Sequence, residues 1–141
     1  MFLGNSFGKT MNLLHRSMDV SILRHEVLAN NVSNINTDHF KRSDITFESA
    51  LKAALDSENP KGKFPAHRPD SERSDFAKQV IDYTKVEPKK VLDFMSVSKN
   101  NGNNVDPDVE ANLVLHNQLM YQLMTQVATS HFNQINLVLR Q

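Results

Sequence analysis

The feature that most constrains this chain is a long segment without charge near its C-terminal end. Residues 111–139, "ANLVLHNQLMYQLMTQVATSHFNQINLVL", contain no Asp, Glu, Lys or Arg. They are too rich in Asn and Gln to span a bilayer, and the exposed face of a soluble monomer would normally carry charges. Amides can pack against other helices without the desolvation penalty of a charge. We therefore expect burial in an assembly; the alternative, a central bundle helix, needs more surrounding chain than 141 residues provide.

The sequence also marks where this C-terminal helix begins. In "NNGNNVDPDVE" the Asn101-Gly102 pair is a turn signal, Asp106 is a good N-cap, and Pro107 suits the first helical position. Apolar side chains then recur every three or four residues, which predicts one side of a coiled-coil contact, the seam. The predicted seam positions are Val109, Leu113, His116, Met120, Leu123 and Val127. Beyond Ser130 two registers stay open, Gln134/Leu137 and His131/Ile135/Val138.

A second long helix is predicted at the N-terminal end, from residue 6 to residue 37. No proline interrupts it, and its apolar side chains follow the same spacing. Its predicted seam consists of Phe7, Met11, Leu14, Met18, Leu28, Val32 and Ile35. Ser21 and His25 occupy the two positions of the same 3-4 repeat between Met18 and Leu28. We therefore predict a mainly α protein whose long N- and C-terminal helices pair as a coiled coil.

The middle of the chain differs in kind and is predicted to be small and irregular. Thr46 can cap a short helix with an apolar face formed by Phe47, Ala50, Leu51, Ala54 and Leu55. The segment "DSENPKGKFPAHRPDSERSD" is typical of an exposed loop or linker, and residues 91–97 are an expected short strand. The predicted organisation is an N-terminal helix (1–37), a middle segment (38–104) and a C-terminal helix (105–141).

A search for chemistry gives no catalytic, cofactor or metal site. His25 in "HEVLA" begins like a zinc-protease helix, but Ala29 stands where the second histidine is required. The other histidines lack ligand spacing, and the acidic residues after Asn104 fit helix capping better than a calcium loop. Acidic and basic residues balance at 16 each, so the charge gives no sign of electrostatic binding to nucleic acid or to an anionic membrane, and direct membrane insertion is not expected. No Sec leader or bilayer-spanning window is visible.

The last turns of the N-terminal helix carry asparagines where charges are usual. Asn30, Asn34 and Thr37 cluster opposite the predicted seam, and Asn31 lies beside it. This uncharged face can hydrogen-bond to a neighbouring subunit. The alternative is that the last residues merely end the helix, which leaves Asn30 and Asn31 unexplained.

The same residues resemble a known family. "LANNVSNINTDHFKRSDITFESAL", residues 28–51, resembles the N-terminal signature of bacterial flagellar rod and hook proteins, L-A-N-N-x-x-N-x-x-T-P-G-Y/F-K. The matching positions, which the resemblance assigns to a subunit interface, are Ala29, Asn30, Asn31, Asn34, Thr37, Phe40 and Lys41. The C-terminal "GNNVDPDVEANLVLHNQLMYQLMTQ" and the short middle look most like the small proximal rod members. Asp38-His39 replaces the usual Pro-Gly, so a preset tight turn does not carry over.

The resemblance implies a structural role without catalysis or cofactors. Rod proteins build the axis of the flagellar basal body, and their paired terminal helices line up in a helical tube. The rod crosses the periplasm and transmits torque from motor to hook. Its subunits leave the cell through the flagellar type III apparatus without a cleaved signal. Implied partners are further copies, other rod proteins, the proximal adaptor, the export gate and the MS ring. The alternatives are another type III-exported helical protein, such as a needle or translocator component, and more distantly a histidine-based metalloenzyme.

Overall fold

The computed structural model describes residues 6–58, 80–96 and 100–140. Three α-helices, α1 (Ser6–Ser33), α2 (Glu48–Glu58) and α3 (Pro107–Leu139), contain most of these residues. Two short strands, β1 (Ser43–Thr46) and β2 (Lys89–Leu92), form a two-stranded sheet, and a 3₁₀ turn spans Tyr83–Lys85. The chain divides into two compact units, one of Met1–Ile45 with Lys90–Gln141 and one of Thr46–Lys89. The predicted division at residues 37 and 104 stays a prediction.

The first unit is built on α1 and α3, which pack side by side in antiparallel directions. Near the start of α1, the Phe7 ring meets the His131 ring edge to face, with centroids 5.6 Å apart. Further along, Ser21 pairs with Asn117, and near the end of α1 Asn31 reaches Glu110. Residue numbers therefore rise along α1 as they fall along the facing side of α3. The predicted fold class, mainly helical with long terminal helices and a short helix and strand between them, is confirmed.

The start of α3 follows the predicted capping. Asp106 has extended backbone geometry, and its side chain accepts hydrogen bonds from the backbone N–H groups of Asp108 and Val109 at 3.0 and 3.5 Å. Pro107 is the first helical residue, where its missing N–H costs nothing. Both features prevent the helix from extending toward the N-terminus and fix where α3 begins.

Other boundaries differ from the prediction. Helix α1 ends at Ser33, and residues 34–39 form turns because side chains of the loop before α3 hold their backbone. The strand expected at 91–97 is Lys89–Leu92 instead; the backbone turns at Asp93, whose carboxylate accepts the N–H groups of Met95 and Ser96. The expected linker begins inside α2, and its residues 59–75, like residue 97, lie outside the described residues.

The second unit is small and includes α2 and the 3₁₀ turn. Phe47 and Ala54 are buried, Leu51 and Leu55 are half-buried, and Ala50 is exposed. The Ser57 hydroxyl accepts a hydrogen bond from the backbone N–H of Ile81 at 2.9 Å, which fixes the turn against the helix.

The stripe of α3 that is turned inward lies one residue later than the predicted seam. Its buried or half-buried side chains recur every three or four residues at Glu110, Val114, Asn117, Tyr121, Met124, Ala128, His131 and Ile135. Of the predicted positions, Leu113 is half-buried and His116 is exposed, while Val109, Met120, Leu123 and Val127 are 44–55% exposed. The shift is physically possible because the polar members, Glu110 and Asn117, are hydrogen-bonded to α1.

On α1 the inward side agrees more closely with the sequence pattern. Leu28 and Ser21 are buried, Val32 is 41% exposed, and His25 is exposed. The half-buried members of the predicted seam are Phe7, Met11, Leu14, Met18 and Ile35. Of the two open registers in α3, His131 and Ile135 are half-buried, whereas Gln134, Leu137 and Val138 are exposed. Whether the predicted seam pairs in an assembly stays a prediction.

Candidate functional site

Five polar residues gather where α1 ends and α3 begins, and we call them the polar cluster: Asn31, Arg42, Asn103, Asn104 and Glu110. All are buried except the half-buried Arg42. They come from the last turns of α1, the residue before β1, the loop before α3 and the first turn of α3. Since buried polar groups are costly unless hydrogen-bonded, such a cluster is stable in one arrangement only.

Asn31 joins α1 to the first residue of β1. Its amide nitrogen donates to the Ser43 carbonyl at 2.9 Å, and its amide oxygen accepts the Ser43 N–H at 3.0 Å. The side chain thus pairs with the strand as a neighbouring strand would. The same nitrogen donates to Glu110 Oε2 at 3.2 Å, so Asn31 also contacts α3.

Glu110 carries the buried carboxylate of the cluster. Its Oε1 accepts a hydrogen bond from Arg42 Nε at 2.8 Å, while Oε2 faces Asn31. Arg42 is also 3.9 Å from a carboxylate oxygen of Asp93. A carboxylate without exposed surface needs both a counter-charge and hydrogen-bond donors, and Glu110 has them. The ion pair fixes α3 to the segment that follows α1.

Asn103 holds the turns that follow α1. Its amide nitrogen lies 2.8–3.0 Å from three backbone carbonyls, those of Asn34, Ile35 and Thr37. These carbonyls belong to the turns that follow α1, and a buried amide that donates to them holds the turns in place. The amide oxygen accepts the Val105 N–H at 2.7 Å, so Asn103 links the turns after α1 to the loop before α3.

Asn104 performs the same task for the chain around β2. Its nitrogen donates to the Asp93 carbonyl at 2.7 Å and to the Ser96 hydroxyl at 3.2 Å. Its oxygen accepts the Arg42 N–H at 2.7 Å. The two adjacent asparagines therefore hold two different segments.

The Asp38-His39 pair forms a turn without Pro-Gly. His39 adopts φ +58°, the left-handed region, at the position where the rod and hook signature has glycine. The Asn101 carbonyl accepts the His39 N–H at 3.2 Å, and the Asn101 amide donates to Asp38 Oδ1 at 2.7 Å. Lys41 donates to the Gly102 carbonyl at 2.9 Å. Contacts with the loop before α3 thus supply what the local sequence lacks.

Asp93 organises the turn after β2. Hydrogen bonds from the Ser96 hydroxyl and from the N–H groups of Ser96 and Met95, with a smaller contribution from the Arg42 charge, lower the pKa of its carboxyl. The hydroxyl contact is 2.6 Å long. The carboxylate is thus held ionised beside the cluster's arginine.

The residues matched to the flagellar signature occupy different environments. Asn31 is buried in the polar cluster, and Lys41 contacts the loop before α3. Asn34 and Phe40 are half-buried, while Ala29, Asn30 and Thr37 are exposed. The Asn34 amide donates to the Asn30 carbonyl at 2.9 Å, one turn earlier in the chain. Their assignment to a subunit interface stays a prediction.

Four of the five cluster residues were not singled out from the sequence: Arg42, Asn103, Asn104 and Glu110. One signal was available for Glu110, because it shares a 3-4 spacing with Val114, Asn117 and Tyr121. A carboxylate on that stripe has to find a buried partner. Nothing local distinguishes Asn103-Asn104 from ordinary turn asparagines.

A second surface lies on the outer side of α3. Leu115, Leu119, Leu123 and Val127 follow one another at intervals of four residues and are 44–55% exposed; we call them the apolar ridge. Beside it, α1 and α3 border an open groove of about 470 Å³, whose lining includes Ile22, His25, Gln118 and Tyr121. Among the described residues, no three potential metal ligands gather, and no helix is long and apolar enough for a bilayer.

Comparison with known proteins identifies the family of the chain. No family model matches it. The flagellar basal body rod protein FlgB of Borreliella burgdorferi is 41% identical over 136 residues, which cover 96% of this chain and 99% of that protein. The chain belongs to the FlgB family of flagellar basal body rod proteins. FlgB of Borrelia hermsii is 37% identical over 136 residues with the same coverage, and FlgB of Bacillus subtilis is 27% identical over 133 residues, 94% of this chain and 95% of that protein. The resemblance to flagellar rod proteins seen in the sequence is thereby confirmed.

Proposed function

We propose that this chain is a structural subunit of the proximal rod in the flagellar basal body. The observation that carries the proposal is 41% identity to a basal body rod protein along almost the whole length of both chains. The compared length leaves out only about 4% of this chain. A needle or translocator component is set aside, because the relatives found are basal body rod proteins.

The structure supports a mechanical role for the helix pair. The polar cluster joins α1, β1 and α3 through charge-assisted and amide hydrogen bonds, which are directional and resist sliding of one helix along the other. We infer that the pair acts as one rigid element when torque passes through the rod. Between Glu110 and Arg140, α3 carries no Asp, Glu, Lys or Arg, which suits packing against other helices.

Further copies and other rod proteins are the partners that this role requires. We infer in addition that the proximal adaptor, the export gate and the MS ring lie next to the subunit, and that it travels through the flagellar type III apparatus. The role is structural, not catalytic. Three histidines have contacts that fit this: His15 pairs with Asp19 at 3.1 Å, His39 forms the turn, and His131 packs on Phe7.

The test is removal of the gene from the host bacterium. We expect loss of swimming, basal bodies that lack a complete rod, and recovery of both with the intact gene. Mass spectrometry of basal bodies from the parent strain should detect the chain. Swimming cells with complete rods after deletion would overturn the proposal.

A further inference from the structure

The apolar ridge faces away from the partner helix. At 100° per residue its four side chains centre on the side of α3 opposite to Glu110, Asn117 and Tyr121, the side that meets α1. Steps of four residues form a continuous row, the kind that fits between the rows of another helix. From Leu115 to Val127 the row is about 18 Å long. A continuous row of half-exposed apolar side chains marks an interaction surface, whereas scattered ones do not.

The absence of charged side chains around the ridge restricts which surface can cover it. From Ala111 to Leu139 the helix offers only apolar, amide, hydroxyl and imidazole groups. A charged partner surface would be desolvated there without a counter-charge, which is costly. The covering surface must therefore be mainly uncharged and concave, with room for one or two branched side chains.

The chain carries such a surface in the groove between α1 and α3. Its lining runs from Ser21 to Glu26 on α1 and from Asn117 to Gln122 on α3, a length of about 8 Å along each helix. Leu119 and Leu123, one step apart on the ridge, are separated by about 6 Å along the helix, so the groove can receive both together. Of its eight lining residues only Glu26 carries a fixed charge.

We propose, building on the rod role above, that the apolar ridge of one subunit packs into the α1–α3 groove of a second copy. The ridge and the groove lie on different sides of α3, so each copy can use both at once. A contact between two different surfaces does not close into a two-fold dimer; it continues from copy to copy and gives a ring or an open helix. The same helix thus packs on α1 through its inward stripe and on a neighbouring copy through the apolar ridge.

Disulfide crosslinking inside assembled basal bodies tests the contact, and the sequence contains no native cysteine to interfere. Two genes, one with Leu119→Cys and one with Ile22→Cys, are expressed together in the deletion strain. After mild oxidation and purification of basal bodies, we expect a dimer of the chain that disappears on reduction. His15→Cys in place of Ile22→Cys is the matched control, since it is exposed on α1 outside the groove and should give at least tenfold less dimer.

Each other result overturns the contact. Basal bodies that contain both variants without a dimer, dimers formed equally with His15→Cys, or adducts to a different protein would refute the ridge-and-groove contact while leaving the rod role intact. Dimers with Leu119→Cys expressed alone would show ridge meeting ridge. Absence of the wild-type chain from purified basal bodies would refute the rod role, and the contact with it.

Discussion

The helix pair buries polar side chains where α1 ends, yet along the outer side of α3 it leaves apolar side chains exposed. Glu110 and Asn31 are fully buried and hydrogen-bonded to each other, while the apolar ridge is about half exposed. Directional polar contacts specify a single register, because any shift leaves a buried charge without its partner. Apolar contacts are non-directional and tolerate different neighbours. We therefore expect the polar cluster to fix the register of the helix pair, and the apolar ridge to be available for assembly.

The largest expected effect comes from the buried carboxylate. Glu110→Ala removes the nearer of the two carboxylates beside Arg42 and an acceptor for Asn31, so we expect the free energy of unfolding to fall by about 3–5 kcal/mol. Asp108→Ala, two residues earlier and exposed, is the control and should cost at most about 1 kcal/mol through the helix dipole. Urea unfolding of the purified chain, followed by circular dichroism, measures both. Equal losses would mean that the cluster has no special role.

Two leucines distinguish folding from assembly. Leu28 is almost fully buried, so Leu28→Ala should lower the free energy of unfolding by about 2–5 kcal/mol. Leu123 is 55% exposed in the single chain, and Leu123→Ala should cost the isolated protein about 1 kcal/mol or less. In cells we expect Leu123→Ala to reduce the number of complete rods although the protein is stable. A large stability loss with Leu123→Ala would place Leu123 inside the subunit.

Asn30 and Asn31, adjacent in α1, allow a comparison between an exposed and a buried side chain. Asn31→Ala removes three hydrogen bonds to Ser43 and Glu110 and should cost about 2–3 kcal/mol. Asn30→Ala changes an exposed side chain and should change stability by no more than about 0.5 kcal/mol. Thermal unfolding of the two variants beside the wild type is sufficient. If Asn30→Ala were the more destabilising, the assignment of Asn31 as the structural residue would be wrong.

Much of the architecture could be predicted from the sequence because the signals are local. Asp106 and Pro107 identify the start of α3 by chemistry that involves only the next few residues. The long helices follow from a sustained 3-4 spacing, and the family from the signature around Asn31.

The inward side of α3 could not be predicted by hydrophobicity. The sequence pattern favoured Leu123 and Val127, but the stripe turned inward contains Glu110 and Asn117. Polar residues occupy it because their partners, Arg42 and Ser21, approach from distant parts of the chain. The 3-4 spacing of Glu110 and Asn117 is visible in the sequence, but the identity of their distant partners is not. The turn at His39 was unpredictable for the same reason, since contacts with the loop before α3 hold it.

A smaller effect is expected in the loop that holds the end of α1. Gly102 has φ +77°, and a Cβ there would lie 2.9 Å from His39 Nδ1. We expect Gly102→Ala to cost about 1–2 kcal/mol through backbone strain and this close contact. His39→Ala removes the imidazole but keeps a Cβ at residue 39, so Gly102→Ala should cost less in the His39→Ala background than in the wild type, as urea unfolding would show. An equal cost in both backgrounds would assign all of it to the Gly102 backbone.

The smallest effect concerns the pH dependence of the turn at Asp93. The pKa of this carboxyl is below its ordinary value of 3.8, chiefly because the Ser96 hydroxyl donates to it. The folded chain therefore binds this proton less tightly than the unfolded chain. The resulting stabilisation is fully present above the pKa of the unfolded chain. It is lost as the pH falls through the lower pKa of the folded chain. Asp93→Asn should lower the urea midpoint at pH 6, and its difference from wild type should shrink between pH 4 and pH 2.

Carbon-13 NMR titration of the Asp93 carboxyl gives the pKa directly, and Ser96→Ala, which removes the main donor, should raise it toward 3.8. A wild-type pKa at or above that value would show that the turn does not stabilise the ionised carboxylate.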